Sequence, residues 1–289
     1  MSDVDTIAAP SRVGIIGGGR MGAGIAHAFA LAGSQVTVVE RDADAASAAL
    51  ARIEDNLRRS VERGTTARSL SELVSNVTSG TEVTAFSGAA LVVEAVPESR
   101  ALKIEALRRA EAAMPEGAVL ASNTSSISID DLAAELDRPA RFLGLHFFNP
   151  VPASTLVEIV VGAATDPSVQ RAAQEWVAVI GKRPVVVRDS PGFASSRLGV
   201  AIALEAIRML EEGVASAEDI DAAMELGYRH PVGPLRTTDL VGLDVRLGIA
   251  EELCAELGER FTPPALLRRM VDDGNLGRKS GQGFYEWSE

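Results

Sequence analysis

Three side chains in this sequence have the types and spacing for proton transfer at a hydroxyl or carbonyl group. His146 lies in "GLHFFNP" at 144–150, Glu158 follows twelve residues later in "STLVEIV", and Ser125 precedes the histidine by twenty-one residues in "SNTSS" at 122–126. An imidazole titrates closer to neutrality than any other side chain, so it serves as acid or base with little adjustment. An apolar strand also carries histidine as inert packing, so the neighbours decide. In a strand over 156–160, Leu156, Glu158 and Val160 share one face, and a carboxylate flanked by apolar residues must be paired or hydrogen-bonded. The turn formers Asn149, Pro150 and Pro152 between the two segments allow two strands to bring His146 and Glu158 together. A carboxylate that accepts from one ring nitrogen fixes the tautomer and raises the basicity of the other, which describes a proton relay. The alternatives are a satisfied core pair, or a metal site. The latter needs a further ligand, and there is no HExxH and only one cysteine, so no metal is expected.

Ser125 sits in a run of five polar residues where helix capping would occupy one. The run follows "AVLAS", a strand of an expected parallel sheet, and open α/β folds form their ligand crevice at such strand ends.

The elements that must position these groups begin with "RVGIIGGGRMGAGIAHAFALAGSQVTVVE" at 12–40. It reads as strand, helix and strand, with Gly17, Gly19 and Gly22 at the positions of a GxGxxG turn. Gly17 permits the tight turn, Gly19 the approach of a pyrophosphate, and Gly22 close helix packing, with Arg20 and Met21 in the same turn. Glu40 ends the second strand 23 residues after Gly17, placed to accept hydrogen bonds from both ribose hydroxyls and to repel a 2'-phosphate. NAD is therefore preferred to NADP, although the adjacent Arg41 works against that preference.

Residues 43–76 read as a helix, a turn at Gly64 and a second helix, longer than one crossover needs. Arg58, Arg59 and Arg63 cluster there, either as a solvated face or as an arm that grips phosphate. Further strands are expected at the start of "ALVVEAVPE" at 90–98, at the start of "AVLASNTSSISIDDLA" at 118–133, around His146 in "RFLGLHFFNP" at 141–150 and within "GKRPVVVRDSPG" at 181–192, with helices at 99–113 and from 128. Beyond a boundary near residue 188, only helices are expected, at 193–212, 218–226, 239–257 and 264–272, with a break at Pro231, Gly233 and Pro234. Trp176 and Cys254 read as core residues. The fold class is thus α/β: a Rossmann-type NAD domain over 1–188 with an inserted helical arm, then an all-helical domain over 189–289. Apolar faces such as "LGVAIALEAIRML" predict a homodimer through this second domain.

A net charge of -12 argues against nucleic acid as a partner. No apolar run is long enough to span a bilayer, and "MSDVDTIAAP" lacks the pattern of a signal peptide, so the expected compartment is the cytoplasm and no membrane partner is expected.

Five segments together resemble one family: "GLHFFNPVPASTLVEIV" at 144–160, "SNTSS", "DSPGFASSR" at 189–197, "EDIDAAMELGYRHPVGPLRTTDLVGLD" at 218–244 and "GRKSGQGFYEW" at 277–287. The chain is similar over residues 10–289 to the short-chain L-3-hydroxyacyl-CoA dehydrogenases, above all the bacterial 3-hydroxybutyryl-CoA type. The resemblance implies NAD-dependent oxidation of the 3-hydroxyl of an acyl-CoA, an N-terminal NAD domain and a dimerising helical domain. It implies that His146 is the base, Glu158 its orienting partner and Ser125 a holder of the substrate oxygen. Glu98, Lys103, Asn149 and Lys279 match positions near the cofactor, and Arg63, with Arg58 and Arg59, matches an arm reaching CoA phosphates. Ser196 departs from the family's "PGFxxNR", where an asparagine contacts substrate, and Ser154 and Thr155 replace a methionine-lysine pair. These departures leave open a dehydrogenase acting on a carrier-linked or free hydroxy acid, or a catalytically silent NAD-binding dimer.

Overall fold

The computed structural model describes residues 8–288, so the first seven residues of the acidic start, read above for targeting, lie outside it. The chain divides into two compact units, one ending at Asp189 and one beginning at Ser190.

The first unit is built on an eight-stranded sheet among the described residues, in the order β3-β2-β1-β4-β5-β6-β7-β8. Its opening run is β1 (Arg12–Ile16), α1 (Arg20–Leu31) and β2 (Gln35–Val39). Short apolar runs buried on both faces form these parallel strands, as expected of a sheet covered by helices. Next come α2 (Ala43–Glu62), α3 (Leu70–Ser75) and β3 (Val77–Gly80). β3 was not expected. Its sequence is polar and only Val77 is buried, because it is an edge strand paired on one side to β2. On α2, Ala46, Ala49, Ile53, Leu57 and Ser60 recur at helical spacing and face inward. Ile53 and Leu57 are fully buried, each contributing about 2 kcal/mol. The first helix of the insertion is therefore docked along one face. Where it meets α1, His27 Nε2 lies 2.8 Å from Ser60 Oγ, both residues buried.

The remaining elements of this unit are β4 (Leu91–Glu94), α4 (Arg100–Ala113), β5 (Val119–Ser122), α5 (Ile129–Ala133), β6 (Phe142–Phe147), β7 (Leu156–Val161), α6 (Pro167–Val179) and β8 (Arg183–Arg188). Every pairing is parallel except β6 with β7. Antiparallel strands need only a turn between them, which the 148–155 segment supplies. Trp176 is only half-buried, packed at the margin of the core, since it lies on the outer part of an amphipathic α6.

The second unit is helical: α7 (Ser195–Glu211), α8 (Ala217–Ala222), α9 (Pro234–Val241), α10 (Leu243–Leu257) and α11 (Ala265–Asp272). Two expectations are corrected. The 218–226 helix is α8 continued by a π-helical turn at Ala223–Gly227. The 239–257 helix is two helices, because Gly242 at φ +106 breaks the run and the first of them begins earlier, at Pro234. Proline suits a first helical position, where its missing N–H is not needed. The next two N–H groups, of Leu235 and Arg236, donate to the Asp221 carboxylate from α8. Cys254 is likewise partly buried rather than central, its Sγ 3.5 Å from Thr262 Oγ1.

Candidate active site

The β6–β7 register sets His146 directly opposite Glu158. Directly opposed residues share a face of the sheet, so the two side chains meet: His146 Nδ1 lies 2.9 Å from Glu158 Oε2. Their exposures are 5% and 1%, so water does not screen the pair. An ionised carboxylate only accepts, so opposite a charged Glu158 the Nδ1 atom carries the shared proton and Nε2 is left as the ring's acceptor. The Phe148 ring tilts against the imidazole at 4.4 Å between centroids. The end of β6 is tied to the polar run after β5, because the Phe147 N–H donates to Asn123 Oδ1 at 2.8 Å. Asn123 belongs to the run noticed in the sequence, but its partner is a backbone group no spacing rule would indicate.

The same run hangs on Glu98. Its Oε1 accepts from Thr124 Oγ1 at 2.5 Å and from the Ser125 N–H at 2.8 Å. Burial pushes the Glu98 pKa up, but the charge of Lys103 and the hydrogen bonds from Thr124 and Ser125 outweigh it and hold the carboxyl below its usual value. Lys103 is 1% exposed; its Nζ lies 2.8 Å from Glu94 Oε1, 3.2 Å from the Val96 carbonyl and 3.2 Å from Glu98 Oε2. Glu94, fully buried, also accepts from Ser122 Oγ at 2.5 Å. Sequence reading matched Glu98 and Lys103 to the cofactor and passed over Glu94, which reads as the end of an apolar strand. The structure makes Lys103 part of the wall behind Glu98, while the Glu98 side chain keeps 40% exposure.

At the glycine turn, the three sequence positions differ in what surrounds them. A Cβ on Gly17, which has φ +94, would lie 2.8 Å from the Ala95 carbonyl oxygen, and one on Gly22 only 1.8 Å from the Gly17 carbonyl oxygen. A Cβ on Gly19 would meet nothing within 4 Å. Gly19 is also the N-cap of α1 and supplies no side-chain cap, so the first N–H groups of the helix stay available for an anion. This is the arrangement a dinucleotide's pyrophosphate requires. Arg20 is exposed and Met21 half-buried beside it. Glu40 stands at the end of β2, Oε1 accepting from the Gly18 N–H at 2.6 Å. Arg41, exposed, donates from Nε to Asp42 Oδ2 at 2.9 Å.

Asn149 is exposed on the turn after β6, next to a cis bond to Pro150. Arg58 and Arg59 are exposed on α2 and pair with Asp55 at 3.6 and 2.7 Å, while Arg63 caps the end of that helix. Lys182, 9% exposed, donates to the Val151 and Ser154 carbonyls at 2.7 and 2.5 Å and so anchors the turn between the dyad strands. It carried no mark in the sequence.

In the second unit, Ser196 occupies the first turn of α7, half-buried. Lys279 Nζ is bound by both oxygens of Asp244, at 2.5 and 2.6 Å. Burial opposes the charge on Asp244, but the hydrogen bonds from Lys279 and the Val245 backbone hold its pKa below the ordinary value.

Comparison with known proteins covers nearly the whole chain. Residues 12–190 match the family model for the 3-hydroxyacyl-CoA dehydrogenase NAD binding domain, and residues 192–287 that for the 3-hydroxyacyl-CoA dehydrogenase C-terminal domain. A 3-hydroxybutyryl-CoA dehydrogenase from Mycobacterium tuberculosis is 44% identical over 96% of this chain and 98% of its own. The mitochondrial hydroxyacyl-coenzyme A dehydrogenase of Sus scrofa is 36% identical over 95% of this chain and 90% of its own. Among solved structures, (S)-3-hydroxybutyryl-CoA dehydrogenase from Ralstonia eutropha superposes with a TM-score of 0.93 at 37% identity, covering 97% of this chain and 100% of the other. With a Rossmann-type sheet, a dinucleotide turn and both domain models matched end to end, the chain belongs to the NAD-dependent 3-hydroxyacyl-CoA dehydrogenase family.

Proposed function

We propose that this protein interconverts a short L-3-hydroxyacyl-CoA, 3-hydroxybutyryl-CoA in the first instance, and its 3-oxo counterpart, with His146 and Glu158 as the proton relay. The observation that carries the reading is the buried 2.9 Å contact of these two residues, set by strand register. His146 Nε2 takes the proton of the 3-hydroxyl, and Glu158 stabilises the imidazolium that results. NAD, when bound, accepts the hydride from C3. Ser125 holds the substrate oxygen in the loop that Glu98 orders, and a donor there stabilises the charge that develops on it. Gly17, Gly19, Arg20, Met21 and Gly22 cradle the pyrophosphate, and Glu40 receives the ribose hydroxyls. Glu98, Asn149 and Lys279 line the cofactor, with Lys103 acting through Glu98. Arg58, Arg59 and Arg63 meet the CoA phosphates. Ser196 hydrogen-bonds substrate through a shorter side chain than asparagine.

Relatives named for 3-hydroxybutyryl-CoA support the short acyl chain. The second unit leaves Leu198, Ile202, Val241 and Val245 exposed at 37 to 63%, which supports a homodimer. No described helix is long and apolar enough to cross a membrane, and the cytoplasm is the proposed compartment.

The test is reduction of acetoacetyl-CoA followed as loss of NADH absorbance. His146→Gln is expected to lower kcat by about a hundredfold or more while NADH still binds. Wild-type activity with a pantetheine or free-acid substrate but none with CoA thioesters would select the alternative that Ser196 raises. Binding of NADH with no turnover of any of them would leave a silent dimer.

A further inference from the structure

Gly18 lies inside the dinucleotide turn, and two opposite charges meet it. Its N–H donates to Glu40 Oε1 at 2.6 Å, and its carbonyl accepts from Arg52 Nη1 at 3.4 Å. The helix α2 brings the arginine there. A Cβ on Gly18 would overlap that of Ala49, which is fully buried, so this stretch of α2 packs directly against the glycine turn. Arg52 follows Ala49 by three residues, about one helical turn, and its exposed side chain therefore reaches the same turn.

Nearby arginines have carboxylate partners. Arg41 pairs with Asp42, whose other oxygen accepts the Ala45 N–H at the start of α2, and Arg58 and Arg59 pair with Asp55. Arg52 forms no ion pair among the described residues. Its hydrogen bond to a neutral carbonyl is near the long limit for such bonds, and a phosphate oxygen is a much stronger acceptor for a guanidinium fork. In a Rossmann-type sheet the carboxylate ending the second strand receives the ribose hydroxyls of NAD, whereas an arginine beside it accommodates the 2'-phosphate of NADP. This chain has both, one on the N–H of Gly18 and one on its carbonyl. Glu40 alone would repel a 2'-phosphate, and a guanidinium at the same glycine offsets that repulsion. Opposed charges at one position set a preference by degree rather than by exclusion.

We infer that Arg52 is a specificity-determining residue that binds the 2'-phosphate of NADP, so that the protein takes the phosphorylated dinucleotide as a second cofactor beside NAD. The inference rests on the Rossmann-type domain and on the proposed placement of the ribose at Glu40, and is independent of the acyl substrate.

The experiment is fluorescence titration of the full chain with NADH and with NADPH, which gives the ratio of their Kd values. Calorimetry with adenosine 2',5'-bisphosphate and with 5'-AMP isolates the same phosphate without turnover. The wild type is expected to bind NADPH no more than about tenfold more weakly than NADH. Arg52→Leu is expected to widen that ratio by about tenfold, and to weaken the bisphosphate against AMP to the same extent. Arg52→Lys is expected to retain part of the effect, because the charge persists while the fork does not. Glu40→Ala, which removes the repulsion, is expected to move the ratio the other way. Should Arg52→Leu fail to fold, the wild-type ratios decide alone. A wild type that does not bind NADPH overturns the inference. So does an unchanged ratio in a folded Arg52→Leu, which would assign the side chain to the adenine or to phosphates common to both dinucleotides. A ratio that widens in Arg41→Ala and not in Arg52→Leu overturns it as well. If Glu40→Ala leaves the ratio unchanged while NADH still binds, the ribose placement falls and this inference with it, and the dehydrogenase reading stands.

Discussion

A buried histidine in the first unit should make stability depend strongly on acid. His27 on α1 is 3% exposed, its Nε2 is engaged by Ser60 of α2, and its Nδ1 has no partner among the described residues. Burial, reinforced by the nearby charge of Lys182, lowers its pKa from 6.5 to about 4. The unfolded chain therefore takes up a proton below 6.5 that the folded chain refuses until near 4. The stabilisation is complete above the unfolded value and is lost as pH falls through the interval, levelling off below the folded value. From those two values, linkage gives a loss of about 2 kcal/mol by pH 5 and about 3 kcal/mol by pH 4. The assay is urea unfolding of the full chain at several pH values between about 7 and about 4, for wild type and His27→Gln. Glutamine still reaches Ser60 but does not ionise, and the carboxylates common to both proteins cancel in the difference. The wild type should lose about 3 kcal/mol more than the variant across the range. Parallel stability profiles would refute the argument, because they would mean that His27 accepts its proton in the folded state without penalty.

Glu98→Gln keeps the shape of the side chain but removes the charge facing Lys103. It should raise KM for the thioester by about tenfold with a smaller effect on stability, and steady-state kinetics beside a thermal melt would separate the two. Lys103→Met leaves Glu94 buried without its cation and should cost about 3 kcal/mol or more, read as a lowered Tm. Glu40→Ala should narrow the preference for NADH over NADPH by about tenfold, measured as a ratio of kcat/KM. Gly22→Ala, whose Cβ would overlap the Gly17 carbonyl, should abolish NADH binding by fluorescence titration if it folds, whereas Gly19→Ala should fold normally and weaken binding.

The parts of the fold and site that were legible in the sequence are those governed by local periodicity. β1, α1 and β2 announce themselves through apolar runs punctuated by glycine, and the His146 and Glu158 strands through apolar runs on either side of a cluster of turn formers. The parts that were not legible depend on long-range partners. Asn123 acts on the backbone of Phe147, Lys182 on the carbonyls of Val151 and Ser154, and Glu94 on Lys103 and Ser122; none of these contacts has a spacing rule. β3 was missed because an edge strand needs little apolar character, and the break at Gly242 because residues on both sides continue a helical pattern.

The antiparallel pairing of β6 and β7 has an evolutionary corollary. Because the dyad is specified by which residues face each other across the ladder, the number of residues between them is free to drift. Lengthening or rewriting the turn beyond Asn149 would leave the proposed proton relay in place, provided the ladder closes in the same register. A single deletion inside β7 would instead carry Glu158 to the opposite face and end it. Ser154 and Thr155, two of the departures from the family pattern, fall inside that permissive turn. Sequence change in the 150–155 turn is thus compatible with His146 and Glu158 staying opposed across the ladder.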